Sequence, residues 1–339
     1  MIDHDFNEYF VCGVISTLFV LLVTLILLKW WRFMRALEKV DKLDGRYIFV
    51  TGCDSGFGEE LCIELDRLGC HVFAGCLTDE GMVNIKDRCS SKVFPIQLDV
   101  RHHNSIQRCL QEIRKLIPKN KGLWGLVNNA GICGAVGPTQ WLNAGDFKEV
   151  LETNLLGAID VTLSTLPLLK SENKYESCRI VSMTSIMAQF ISPGALPYCI
   201  SKSSLMTFCN CLRLELSYSK IHVSTIQPGA HESNFTKTGL ISLQKSWERL
   251  SSEEKNLYGL DYYKRISWYE RTFLKIFARK SHRKVIEAYI HALLSKAPSR
   301  NYIVGYDANV MCLLSLYFPN FILDFLFRIT GVVCRPLSS

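Results

Sequence analysis

Tyr198 and Lys202 stand four residues apart in Tyr198-Cys-Ile-Ser-Lys202, a spacing that puts both side chains on one face at the start of a helix. A phenol titrates at about 10, too high for a base at neutral pH, and a neighbouring ammonium group favours its ionised form. Such a pair can take a proton from an alcohol or return one to a carbonyl. Ser185, just upstream, offers a hydroxyl able to bind the substrate oxygen and steady the charge developing on it. On the residues alone, Ser182 and Thr184 fit that description equally. Asn154, in Glu152-Thr-Asn-Leu-Leu-Gly157, can hold a water that relays protons to Lys202. Taken alone, a tyrosine and a lysine at this spacing are an ordinary surface pair. Their chemical meaning comes from what precedes them.

The segment Thr51-Gly-Cys-Asp-Ser-Gly-Phe-Gly58 follows the apolar run Tyr47–Val50 and opens a helical pattern. Gly52 relieves the turn, Gly56 lets a pyrophosphate approach, and Gly58 lets helix and strand pack closely. The amides around Ser55 and Phe57 then face the phosphates, assisted by the helix dipole. Thr51 opens this turn. Asn129, Ala130 and Gly131 lie at the end of a later strand, and Pro228-Gly229 makes another turn at the same end of the fold. With Tyr198 and Lys202, which reaches the nicotinamide ribose, they complete a dinucleotide site. Asp99 can accept a hydrogen bond from the adenine amino group. Asp54 lies inside the glycine turn, where a carboxylate repels a 2′-phosphate, so the expected cofactor is NAD, with NADP the weaker alternative. The second strand ends Ala74-Gly-Cys76, without the acid that commonly holds the two ribose hydroxyls of NAD, although Asp79 is near. No metal is implied.

These groups need elements to position them. Candidate strands are Tyr47–Val50, His71–Gly75, Val93–Leu98, Leu123–Val127, Arg179–Met183, His222–Gln227 and Asn301–Val304. Helical patterns cover Gly58–Leu68, Ser105–Ile117, Phe147–Leu169 and Lys202–Tyr218. Short apolar strands alternating with helices predict an α/β fold, a Rossmann-type doubly wound parallel sheet covered on both faces. Its ligand binds beyond the carboxyl ends of the strands.

The chain resembles a classical short-chain dehydrogenase/reductase, in the membrane-associated branch containing retinol dehydrogenases, 17β-hydroxysteroid dehydrogenases and mitochondrial 3-hydroxybutyrate dehydrogenase. Thr51–Gly58, Asn128–Gly131, Asn154, Ser185 and Tyr198–Lys202 resemble its motifs, and the family spacing selects Ser185 over its two neighbours. Trp124–Gly131 and Tyr306-Asp-Ala308 are similar to sequences of this branch, which also tolerates cysteine at position 76. The likeness covers about residues 45 to 330. It implies that Ser233 stands nearest a threonine contacting the nicotinamide amide, and that the protein forms dimers or tetramers. Gln227 replaces a frequent glutamate, and the stretch His231–Thr236 departs from the branch's pattern, so His231 and its neighbours are expected to reshape the entrance.

The 339 residues carry a net charge of +7, with 48% apolar residues and a mean hydropathy of +0.11. Basic residues are scattered without a recognition motif, which excludes a nucleic-acid binder. The fourteen cysteines form no CxxC pair and are read as small core residues in a reducing compartment. After a short tail at 1–8, residues 9–28 are uncharged and long enough to span a bilayer as a helix. Acidic residues precede this run and a basic linker at 29–44 follows it. That asymmetry predicts a single-pass anchor in the endoplasmic reticulum membrane, or alternatively a mitochondrial one, with the catalytic domain cytoplasmic. The dehydrogenase domain is placed at 45–310, with a substrate-covering lobe at 239–299. An apolar membrane- or pocket-associated segment follows at 311–339. The aromatic, amphipathic lobe suits a bulky apolar alcohol drawn from membrane lipid. The expected reaction is NAD-dependent interconversion of a hydroxyl and a carbonyl on a steroid, with a retinol, a 3-hydroxyacid, or non-catalytic cofactor sensing as alternatives.

Overall fold

The computed structural model describes residues 17, 19–24, 26–31, 34–40, 43–169 and 177–329. β1 (Tyr47–Thr51), β2 (His71–Cys76), β3 (Val93–Gln97), β4 (Gly125–Asn128), β5 (Cys178–Met183), β6 (Ile221–Pro228) and β7 (Asn301–Val304) form where alternating apolar runs predict them. They build one parallel sheet in the order β3-β2-β1-β4-β5-β6-β7. The order reverses between β1 and β4, so a crevice opens there at the carboxyl ends. The glycine turn leaves β1 at that point and Asn129 leaves β4.

All five residues of β1 are buried, as a central parallel strand covered on both faces requires. Ile48 and Val50 join Leu61, Leu65 and Tyr289 in one core. Tyr47 and Phe49 join Ile106, Leu110 and Leu205 in the other. The covering helices are α1 (Gly56–Arg67), α2 (Asp79–Arg88), α3 (His103–Leu116), α4 (Ala144–Leu151), α5 (Ala158–Thr165) and α6 (Leu196–Glu215). Asn143 caps α4 in a reciprocal box with Asp146, and α4 runs into α5 through a π-turn at Glu152–Gly157. Only Gly81 and Ile85 of α2 are buried, so its apolar stripe is weak; Thr78 starts it by accepting from Gly81 N at 3.0 Å.

Beyond β6 come α7 (Asn234–Glu248), α8 (Ser252–Tyr258), α9 (Leu260–Phe277) and α10 (Arg283–Leu294). α7–α9 build a lobe with its own core around Trp141, whose ring lies 5.3 Å from Trp247 and 5.4 Å from Tyr258. Arg249 clamps this lobe to α4 through both oxygens of Asp146, at 2.5 and 2.8 Å. α10 instead packs on the sheet through Val285, Tyr289 and Leu293. α11 (Tyr306–Tyr317) and α12 (Asn320–Ile329) end the described chain.

Residues 9–16, 18 and 25 of the expected anchor lie outside the described residues; 17, 19–24 and 26–28 are helical and exposed. Among the described residues no helix is long and apolar enough to cross a membrane. The linker behind them docks on the end of α10, where Val40 N donates to Leu294 O at 2.8 Å and Ser295 Oγ to Ala36 O at 3.0 Å. The twelve described cysteines are free thiols, most of them buried.

Candidate active site

The glycine turn is built from its backbone outward. Gly56 has φ 66° and opens α1, and nothing lies within 4 Å of where its Cβ would be. That open space, in front of unpaired first-turn amides, fits the pyrophosphate of a dinucleotide. Gly58 is the opposite case: a Cβ there would collide with Gly52 O and Asn129 Nδ2. Thr51 and Asn129 brace the turn. Thr51 Oγ1 accepts from the N–H groups of Asn129 and Ala130 at 3.0 and 3.1 Å. Asn129 Nδ2 donates to the carbonyls of Thr51 and Gly52 at 3.0 and 2.9 Å, and its oxygen accepts from Tyr289 at 3.1 Å. Ser55 is exposed at the N-cap and makes no side-chain cap bond.

Asp54 ties the same turn to the end of β2. Its carboxylate accepts from the N–H groups of Leu77 and Thr78 at 2.9 and 2.8 Å and from Thr78 Oγ1 at 2.8 Å. Cys76 is buried, and burial pushes its thiol up to about 12. The acid at the rim of β2 is therefore Asp54, brought there from the preceding turn. Asp99 is already engaged: Arg101 donates to it at 2.6 and 2.9 Å and holds its carboxyl below the usual carboxylate range.

After β6, Pro228-Gly229 is fastened by a residue that reasoning from chemistry alone passed over. Buried Asp307 accepts from Ala230 N at 2.7 Å, and its carboxylate occupies the space that a side chain on Gly229 would need. The sequence predicts that His231 and its neighbours reshape the entrance. His231 is buried, hydrogen-bonded to Gly229 O at 3.0 Å and set edge-on to Phe57 of the glycine turn, because the chain folds back there to pair with Arg279. Ser233 precedes α7, its N–H donating to Thr236 Oγ1 at 3.1 Å. Gln227 is fully buried and accepts from Gln189 Nε2 at 2.6 Å; a glutamate there would bury a charge.

The chain leaving β5 and the first two turns of α6 bring Ser185, Tyr198 and Lys202 together. Ser182 and Thr184 turn into the sheet, where Asn128 donates to Ser182 at 3.4 Å and Thr184 donates to Ile226 O at 3.0 Å. Ser185 Oγ accepts from Met187 N at 3.1 Å and lies close enough to Tyr198 to favour its ionised form. Lys202 Nζ lies 5.7 Å from the Tyr198 ring centre and donates to Met183 O at 2.9 Å. Asn154 sits in the π-turn, a distortion that often marks functional helices. Its amide bonds both backbone groups of Ile132, at 2.8 and 2.9 Å, and donates to Ser201 at 3.0 Å. Burial raises the Tyr198 phenol above its ordinary value, against the lowering effect of Ser185, and burial pushes Lys202 down to about 8. Desolvation thus outweighs the help that the lysine was expected to give the phenolate. Phe235, at 5.2 Å edge-on, walls the Tyr198 ring; its sequence position carried no signal.

A cavity of about 770 Å³ borders the loop joining Ser185 to Tyr198, though neither residue lines it. Its walls come from Val136–Gln140, Gln189–Leu196, α9 and the C-terminal helices.

Residues 46–240 match the short chain dehydrogenase family. Retinol dehydrogenase 16 of Mus musculus is 37% identical over 305 residues, 89% of this chain and 93% of that protein. Retinol dehydrogenase 7 of Rattus norvegicus is 36% identical over 323 residues, 89% of this chain and 95% of that protein. Among solved structures, a short-chain dehydrogenase/reductase of Burkholderia phymatum in complex with NAD superposes with a TM-score of 0.66 at 15% identity, over 88% of this chain and 99% of that one. One from Burkholderia cenocepacia in complex with NADP gives 0.61 at 18% identity, over 88% and 100%. The fold, the converging Ser185, Tyr198 and Lys202, and these relatives make the chain an NAD(P)-dependent alcohol dehydrogenase of the short-chain dehydrogenase family, in its retinol dehydrogenase branch.

Proposed function

We propose that the protein uses NAD to interconvert a hydroxyl and a carbonyl on a bulky apolar substrate at a membrane surface. The observation that carries this is the Ser185–Tyr198–Lys202 group set beside a roomy cavity whose walls include Val136, Phe190, Ile191, Leu196 and Ile266. The bound dinucleotide supplies the two-electron acceptor or donor. Ser185 and Tyr198 hold the substrate oxygen between them. Tyr198 takes its proton in oxidation and returns it in reduction, while Lys202 offsets part of the cost of the phenolate and Asn154 positions the relay toward Lys202. Ser55, Gly56 and Phe57 would hold the pyrophosphate, Asp99 the adenine, Ser233 the nicotinamide amide, and Ala130, Gly131, Pro228 and Gly229 the crevice walls. Asp54 favours NAD, since its fixed carboxylate faces the rim where a 2′-phosphate would lie.

The named relatives favour a retinol-like alcohol. Among the described residues lining the cavity are two carboxylates, Glu270 and Asp324, and no basic group, which disfavours an anionic 3-hydroxyacid. Initial rates with retinol, a steroid alcohol and a 3-hydroxyacid, each with NAD and with NADP, test the reading. The apolar alcohols with NAD are expected to turn over fastest, and turnover of the hydroxyacid alone overturns it. Because the folded Tyr198 titrates above its ordinary value, its base form grows as pH rises. Oxidation should therefore climb from pH 6 to 10 and reduction should fall; the reverse slopes would contradict the role of Tyr198.

We also propose that 9–28 is the anchor and that the C-terminal helices lie against the same membrane. Leu316, Phe321 and Phe325 are 66%, 70% and 61% exposed there, an apolar patch that suits lipid. In sealed microsomes the catalytic domain is expected to be digested by added protease, as a cytoplasmic domain must be. Protection of the domain until detergent is added would reverse the orientation.

A further inference from the structure

We propose that Glu270 is the specificity-determining residue of the substrate cavity, accepting a hydrogen bond from a second hydroxyl of the substrate, so that the preferred substrate is an apolar diol. This rests on the reading of the cavity as the site of a bulky alcohol. Tyr262, Ile266 and Glu270 recur at every fourth position of α9, so they share one face, and all three line the cavity. Tyr262 and Ile266 are buried parts of the lobe core. Glu270 continues their stripe with a carboxyl group. The charged neighbours on α9, Lys264, Arg265, Arg271 and Lys275, are exposed on its other faces. Glu270 makes no hydrogen bond or ion pair among the described residues.

A carboxyl group held in an apolar wall without a partner is costly and is ordinarily found paired. Burial raises its pKa accordingly. Glu270 lines the cavity, so the partner that relieves the cost is one the cavity receives. An anion is repelled, and a pure hydrocarbon end leaves the group unpaired. A hydroxyl donates to it directly. Ser185 and Tyr198, beside the cavity, hold the reacting oxygen, and Glu270, in its wall, holds the second. Retinol, with one hydroxyl, engages only the former.

The test uses the full-length chain in lipid vesicles with NAD, a saturated steroid mono-alcohol and the corresponding diol. Turnover is followed by nucleotide reduction, and binding by quenching of tryptophan fluorescence. The diol is expected to be preferred on the order of 10–100-fold, through KM and Kd rather than kcat. Glu270→Leu should erase the preference by raising KM and Kd for the diol to those of the mono-alcohol measured on the same variant, and Glu270→Gln, which keeps an acceptor oxygen, should retain part of it. Equal binding of the two alcohols by the natural protein, or an unchanged preference in Glu270→Leu, overturns the assignment. Diol-selective binding that depends on Glu270 without any turnover supports the assignment and overturns the reaction proposed above, so the two failures are separable.

Discussion

Tyr198→Phe is expected to lower kcat for oxidation by on the order of 10²–10⁴-fold, the usual contribution of a positioned proton acceptor. Dinucleotide affinity should stay within about twofold, because no turn residue that would hold the cofactor bonds the phenol. The substitution removes one oxygen beside Ser185, and the ring keeps its edge-on packing against Phe235. Folding is therefore preserved and the loss is chemical. Nucleotide reduction read by absorbance, with calorimetry for dinucleotide binding, separates the two. Retention of more than a tenth of the rate would show that another group moves the proton.

Gly58→Ala acts through the opposite channel. The added methyl meets the carbonyl oxygen of Gly52 and the amide of Asn129, neither of which is the free end of a flexible chain. Asn129 is pinned by Thr51, Gly52 and Tyr289, so the clash moves the turn itself. Overpacking of this kind costs about 1–3 kcal/mol, or a few degrees of Tm in a domain of this size. Displacing the amides from their phosphate geometry should weaken dinucleotide binding at least tenfold. Gly56→Ala differs in cause: open space surrounds its Cβ position, and the loss of Tm comes from placing a side chain at φ 66°, a strain of about 1–2 kcal/mol, while the methyl also blocks the approach of the pyrophosphate. An unchanged Tm and unchanged dinucleotide affinity in Gly58→Ala would mean that the turn is not braced as described.

The strands and the Tyr198–Lys202 pair were legible because their signals are local: an apolar run of four to eight residues, or a spacing within one helix; Ser185 was singled out from Ser182 and Thr184 only by the family's spacing. What escaped reading depends on residues brought together from far apart. Asp307 fastens Gly229 from the start of α11, and Gln189 satisfies Gln227 across two loops; neither pairing leaves a periodic trace. α2 escaped for a different reason, having little apolar face to reveal it. Asp54 was visible as an acid in the turn, but its grip on Leu77 and Thr78 required the folded crevice. The balance at Lys202 was also beyond spacing, since proximity to Tyr198 argues one way and desolvation, which only burial reveals, argues the other.

The lobe holds itself together around Trp141, with Arg249 on Asp146 as its firm polar tie to the sheet side. A chain built this way is divided in its tolerance of change. Side chains on the cavity wall of α9 can be exchanged, and the strain stays within the lobe's own aromatic cluster instead of reaching the glycine turn or Tyr198. Descendants of such a protein can try new substrates one wall residue at a time while the redox half is inherited intact.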